Sequence, residues 1–225
     1  MVDFPAVWWY NTPVRKEVTA VAYDNDLVAG KLRRWETYLD HFRLPPWEEI
    51  PDLGLYMEQV IDLLRQYLDY LPPELKEEQQ FITAAAINNY VRTRIMPQPR
   101  KKRYYREHIA YLIMILTLKP TLSMALIQRL IPSDLPTEEV QRVYTAYARC
   151  HAMAAVNFLR QARAMGDGIL QHDDPSDMAA DTVEDLIAMS AITAGFSRLL
   201  AEKLLLLQDK AMTAAPENTA EKAEK

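Results

Sequence analysis

The stretch TAAAINNYVRTRIMPQPRKKRYYREHIAYLIMILTLKP, residues 83–120, decides how the chain folds. Thr83 is a residue type that caps helices, because its hydroxyl accepts from an otherwise unpaired backbone N–H. Ala84, Ile87, Val91 and Ile95 then recur at helical spacing and predict a helix to about Met96, stopped by Pro97 and Pro99. Each residue advances about 100°, so Ala85, Asn89, Arg92 and Thr93 fall on the opposite face. Arg100-Lys101-Lys102-Arg103 forms a short basic connector. A second helix runs from about Tyr105 to Lys119 and is almost wholly apolar after Ile109, as a buried core helix would be. Pro120 ends it, and a short helix follows over Ser123–Ile131, capped by Thr121 or Ser123.

Working outward, Asp52 is a plausible cap for a helix carrying Met57, Val60, Ile61, Leu64, Leu68 and Leu71, which Pro72-Pro73 would stop before a polar loop at 74–80. After Pro132, Thr137 caps a helix with Glu138 and Glu139 in the first turn, where the dipole favours acids. Val140, Tyr144, Tyr147, Cys150 or His151, and Ala154 repeat along it. Gly166-Asp167-Gly168 through Ser176 reads as a loop, Asp181–Ala211 as a long helix, and 213–225 as a disordered tail without apolar anchors. Residues 1–46 are aromatic-rich, with Trp8, Trp9, Tyr10 and Trp35. Within them, Glu17–Ala29 fits either a helix or two short strands around Asp24-Asn25-Asp26. The expected fold is all-α, with at most a small β-element near the N-terminus or in the basic connector. The expected organisation is an extension at 1–46, one domain at 47–131, a helical module at 132–212 and the tail.

Composition narrows the function. The chain has 225 residues, 49% hydrophobic and 25% charged, which is ordinary for a globular protein. Five glycines, none in a phosphate-cradling spacing, argue against a nucleotide-binding loop. One cysteine excludes an internal disulfide or a multi-cysteine metal site. The longest apolar run, Ile109–Leu118, is half the roughly 20 residues a membrane span needs. With no signal-peptide pattern at the N-terminus, a cytoplasmic location is expected. The net charge of −5 hides an asymmetry: residues 81–131 hold nine basic residues and one acid, Glu107, so this block is +8 and the remainder −13.

A basic block inside an acidic chain is a local electrostatic footprint. A helix with an apolar inner face and Asn and Arg outside suits the major groove, where Asn pairs bidentately with adenine and Arg with guanine. Flanking Lys and Arg would neutralise phosphates and set the register. Asn89, Arg92 and Thr93 are the candidate base-reading residues. Arg100, Lys101, Lys102 and Arg103 are the candidate phosphate contacts, and Tyr104 is a candidate either for a phosphate contact or for packing.

These residues also carry a resemblance. The helix Ile87–Pro99, the Arg103-Tyr104 pair followed by Glu107-His108-Ile109, and Leu122–Ile131 resemble the recognition helix, wing exit and following helix of MerR-type regulators. Arg94 stands where those helices usually have glycine, and the wing would be very short. Trp47–Asp52, Leu55–Gln59, Ile87–Tyr90 and Tyr105–Leu112 resemble more closely the recurring blocks of an uncharacterised bacterial domain-of-unknown-function family with MerR-like features. The resemblance spans about residues 45–131. It implies a winged helix-turn-helix over 47–131, a C-terminal module that makes a homodimer, and duplex DNA as partner.

Other constellations read as structural. Asp173-Asp174-Pro175-Ser176-Asp177 has the spacing by which all-helical prenyl-transfer enzymes hold Mg²⁺. Pro175, however, disfavours helix at Asp174, and no second aspartate-rich motif is present. His172-Asp173 lacks further histidines for a metal-dependent phosphohydrolase. Cys150-His151 are helix neighbours that cannot act on each other, and Cys150 is expected to be buried. Leu199, Leu200 and Leu204–Leu207 fit equally a core contact or a dimer seam. The expected function is sequence-specific DNA binding in transcription control by a dimer, with no enzymatic activity, metal or cofactor. The rival is a protein-interaction module whose basic helix docks an acidic partner.

Overall fold

The computed structural model describes residues 24–69, 82–170 and 179–213. Among them are seven α-helices: α1 (Asn25–His41), α2 (Met57–Tyr67), α3 (Ala84–Arg92), α4 (Arg106–Leu118), α5 (Met124–Leu130), α6 (Thr137–Leu170) and α7 (Val183–Thr213). The fold is all-α. In place of strands, the described residues hold two isolated antiparallel bridges, Leu55 with Tyr104 and Arg100 with Arg103. The expectations for Trp8, Trp9, Tyr10, Pro72-Pro73, the loop at 74–80, His172, Asp173–Asp177 and the tail beyond 213 lie outside the described residues.

α4 is the centre. Every side chain from Ile109 to Leu116 is fully buried, so this helix is apolar on all sides because all sides are covered. Around it pack Val60 and Leu64 of α2, Ile87 and Tyr90 of α3, and Ile127 of α5. The N-terminal half of α6 belongs to the same core through Val140 and Tyr144. Tyr144 is fully buried, donates to the Pro45 carbonyl at 2.7 Å and lies 6.1 Å from the Trp47 ring. The core therefore runs without a break across residues 131 and 132. A second small core of Ala29, Ile169 and Val183 joins α1, the end of α6 and the start of α7.

Several local expectations are corrected. Of the alternatives for 17–29, helix holds from Asn25 onward, with Asp24 accepting from the Leu27 N–H at 3.1 Å, and residues 17–23 lie outside the described residues. Asp52 caps nothing in α2; it accepts the Arg106 N–H at 3.3 Å, while Gln59 of α2 reaches back to the Tyr56 N–H. Thr137 is the first helical residue of α6 rather than its cap, and the preceding Pro136 carbonyl accepts from Val140. α6 also continues through Gly166-Asp167-Gly168, where a loop was expected. There the Ala180 N–H donates to the Met165 carbonyl at 2.7 Å, and a Cβ on Gly168 would meet the Ala180 oxygen at 2.7 Å. Gly168 serves close approach of the segment at Ala180 rather than a turn. Cys150 is exposed, about 120° around α6 from the fully buried Tyr144. Ala154 is exposed as well.

Candidate nucleic-acid interface

α3 begins as read: Thr83 accepts the Ala86 N–H at 3.1 Å. It ends earlier than the prolines would require. Arg94 adopts φ +56°, Arg94 N–H donates to the Val91 carbonyl at 3.1 Å, and Ile95 N–H to the Tyr90 carbonyl at 2.9 Å. This is the Schellman ending, with the left-handed residue just past the helix and an apolar pair, Ile95 on Tyr90, sealing it. The stop is a backbone reversal at Arg94, a position that ordinarily takes glycine. Ile95 and Met96 are buried outside the helix.

Ile87 and Tyr90 point into the core. The outward strip is Ala85, Asn88, Arg92, Thr93 and Arg94, all exposed, with Asn89 half-buried. Asn88 and Asn89 straddle the direction opposite Ile87 and Tyr90. With Val91 and Ile95 as inner positions Asn89 would lie farthest out; because Tyr90 is buried as well, Asn88 is the more exposed of the two. Arg92 donates to Asn89 Oδ1 at 2.7 Å, and the Thr93 hydroxyl returns to the Asn89 carbonyl at 2.7 Å. Thr93 thus presents its methyl group more freely than its hydroxyl.

The basic connector is a tight hairpin. Arg103 N–H donates to the Arg100 carbonyl at 3.0 Å, and the two central residues, Lys101 and Lys102, have φ of +50° and +61°. Both central angles positive is the geometry for which Asn-Gly is ordinarily selected. Here two exposed lysines occupy it. Their neighbours are tethered. Arg100 pairs with Glu107, which raises its pKa further, and lies 5.0 Å from the Tyr105 ring. Arg103 donates to the Gly54 carbonyl at 2.9 Å and the Tyr56 hydroxyl at 2.7 Å, with its guanidinium 4.4 Å over the Tyr56 ring. A Cβ on Gly54 would meet Arg103 Cδ at 2.8 Å, so glycine permits this contact.

Tyr104 does not join the surface. It is 3% exposed, burial raises the pKa of its phenol, and its backbone exchanges two hydrogen bonds with Leu55 at 2.8 and 2.9 Å. It anchors the hairpin to the segment before α2. The second anchor is His108, 1% exposed on α4. Its Nδ1 accepts the Tyr105 N–H at 3.1 Å, which leaves Nε2–H to donate to the Gln98 carbonyl at 3.0 Å. The segment between α3 and the hairpin is thereby pinned to the start of α4. Arg106 is also structural, donating through Nε to the Ile50 carbonyl at 2.7 Å.

No group of three His, Cys, Asp or Glu among the described residues converges as a metal site would. None of the helices there is long and apolar enough to cross a membrane.

Residues 45–150 match the family model described as Domain of unknown function (DUF1836). The match crosses residue 131, as the apolar core does. No curated protein and no solved structure matches the chain.

Proposed function

We propose that the chain is a sequence-specific duplex DNA-binding protein that regulates transcription as a dimer and performs no catalysis. The observation that carries this is the pairing of an exposed strip, Asn88 and Arg92 on α3 with Thr93 and Arg94 at its C-terminal end, with a hairpin whose tip is Lys101-Lys102. Both are pinned to the N-terminal end of one buried helix, α4. A presented helix followed by a short basic turn suits a base-reading element beside a phosphate-contacting one. The Leu55–Tyr104 bridge supports a winged arrangement of the MerR-like kind, since it joins the segment before α2 to the chain leaving the turn.

In this role Arg92 and Asn88 or Asn89 read base edges, Lys101 and Lys102 contact phosphates, and Arg100 and Arg103 brace the turn with part of their charge already engaged. Two copies would place two α3 helices in major grooves about one helical turn apart, or a multiple of that. Selection from a random duplex library, followed by anisotropy titration of the enriched site across salt, tests it. A recurring motif bound well above random DNA with a steep salt slope is the expected result. No enrichment and no binding at low salt would remove this function and favour an acidic protein partner for the same basic surface.

A further inference from the structure

α3 carries two neighbouring asparagines, and their hydrogen bonds give them different capacities. Ile87 and Tyr90 are buried and fix the inward side of the helix. At about 100° per residue, Ala85 and Arg92 fall opposite them, and Asn88 and Asn89 flank that direction about equally. Direction alone therefore does not choose between the asparagines. Arg92 Nη2 lies 2.7 Å from the Asn89 side chain. A guanidinium only donates, so the atom it meets is the carboxamide oxygen. An adenine is read by one carboxamide that accepts from N6 and donates to N7 at the same time. Asn89 is half-buried and has its oxygen turned along the helix to Arg92, so it does not present both atoms to a base edge. Asn88 is exposed, and no hydrogen bond to the described residues engages its side chain.

We infer that in each half-site Asn88 reads an adenine and Arg92 a guanine, and that Asn89 is a positioning residue that reads no base. The inference rests on the DNA function proposed above and names the bases its helix selects. Arg92 can be held by Asn89 and still read, because its guanidinium keeps enough N–H donors for the bidentate grip on guanine O6 and N7. Asn88 and Arg92 lie one turn apart on the same side of α3, so both can meet one groove together. Four residues of helix advance about 6 Å, close to two base steps of about 3.4 Å. The half-site therefore carries an A·T pair and a G·C pair within about two base steps of each other. Thr93 adds no hydrogen-bond reading, since its hydroxyl donates to the Asn89 carbonyl at 2.7 Å.

Duplex selection with the full chain as wild type, Asn88→Ala, Asn89→Ala and Arg92→Ala tests the assignment, with circular dichroism as the check that each variant keeps its helices. The wild-type motif is expected to hold an A·T and a G·C pair at that spacing. Asn88→Ala is expected to lose discrimination at the A·T pair by at least about fivefold and to keep it at the G·C pair. Asn89→Ala is expected to keep the A·T preference and to loosen the G·C one alone. Replacing the selected adenine by 7-deazaadenine, which lacks the N7 acceptor, is expected to weaken wild type and Asn89→Ala but not Asn88→Ala. A merely structural role for Asn88 would not produce that pattern. An A·T preference that survives Asn88→Ala or is lost in Asn89→Ala overturns the assignment and leaves the DNA function standing. So does a wild type indifferent to 7-deazaadenine. A wild type that enriches no motif removes the DNA function, and the assignment with it.

Discussion

A terminal guanidinium nitrogen of Arg92 donates to the side-chain oxygen of Asn89 at 2.7 Å, one turn back on α3. The pair holds Arg92 along the exposed side of the helix before any partner arrives. If Arg92 reads a base, Arg92→Ala is expected to cost about 1–3 kcal/mol at one position of the selected site and to relax specificity there. Asn89→Ala removes the orienting contact, so its effect and that of Arg92→Ala should not add. A double-mutant cycle in anisotropy titrations should show a coupling of about 0.5–1 kcal/mol. Full additivity would mean that the Asn89 contact has no part in presenting Arg92.

Arg94 at φ +56° gives a second prediction, about stability. A non-glycine residue in the left-handed region costs about 1–2 kcal/mol, and glycine adopts it freely at the cost of greater freedom in the unfolded chain. Arg94→Gly is expected to stabilise by about 0.5–1 kcal/mol, and Arg94→Val to destabilise by more than that. Thermal melts at one pH and salt concentration check the order: Gly above wild type, Val below it.

Gly168 makes the opposite case, a glycine inside a helix that cannot be improved. A helical glycine ordinarily costs about 1 kcal/mol relative to alanine. Here an added Cβ would press on the Ala180 backbone oxygen at 2.7 Å, so Gly168→Ala is expected to lose about 1–3 kcal/mol despite its better propensity. Gly195, with nothing within 4 Å, is the control: Gly195→Ala should gain propensity without a clash. If Gly168→Ala and Gly195→Ala shift the melting temperature in the same direction, the close approach at Ala180 is not a constraint.

How much of this was legible in the sequence follows from where each constraint resides. α4 was readable because its apolar run and Pro120 are both local signals. Its limits fall within a residue of the reading at each end. The true end of α3 was not, because its stop is a backbone reversal at Arg94 in a sequence that offers prolines three and five residues further on as the obvious breakers. α6 was cut short at Gly166 for the converse reason: two glycines look like a loop until Met165 and Ile169 are seen buried on either side of them. Of the candidate surface, the residue types were legible and their partners were not. Arg103 meets Tyr56 across 47 residues and Gly54 across 49. No spacing rule reports a contact of that range, nor that Tyr104 turns inward to pair with Leu55.

His151 sets an acid limit. It lies 5.9 Å from the Phe42 ring, and burial lowers its pKa below the ordinary value of about 6.5. The folded chain therefore binds a proton at His151 less readily than the unfolded chain. Stability rises with pH wherever the unfolded state holds more protons. The contribution of a neutral His151 is complete above the ordinary value and is lost as the pH falls through it toward the folded one. Melting temperatures measured from pH 8 to pH 5 should fall in the lower half of that range, and His151→Gln should flatten the fall. An equal slope in the variant would place the acid sensitivity elsewhere.

The lysine hairpin separates a structural turn from a functional one. Lys101 and Lys102 both occupy left-handed conformations that glycine would take without strain, at a cost of about 1–2 kcal/mol per residue. If the turn only connected α3 to α4, glycine at either position would improve the protein at no loss. Strain retained at an exposed tip points instead to the side chains. Lys101→Gly and Lys102→Gly are each expected to raise the melting temperature while weakening DNA binding alike for all sequences. Each should also lower the slope of log affinity against log salt by about 1. Unchanged affinity and salt slope in a stabilised variant would show that the lysines contact no phosphate. Lost affinity confined to particular base positions would make them readers rather than anchors.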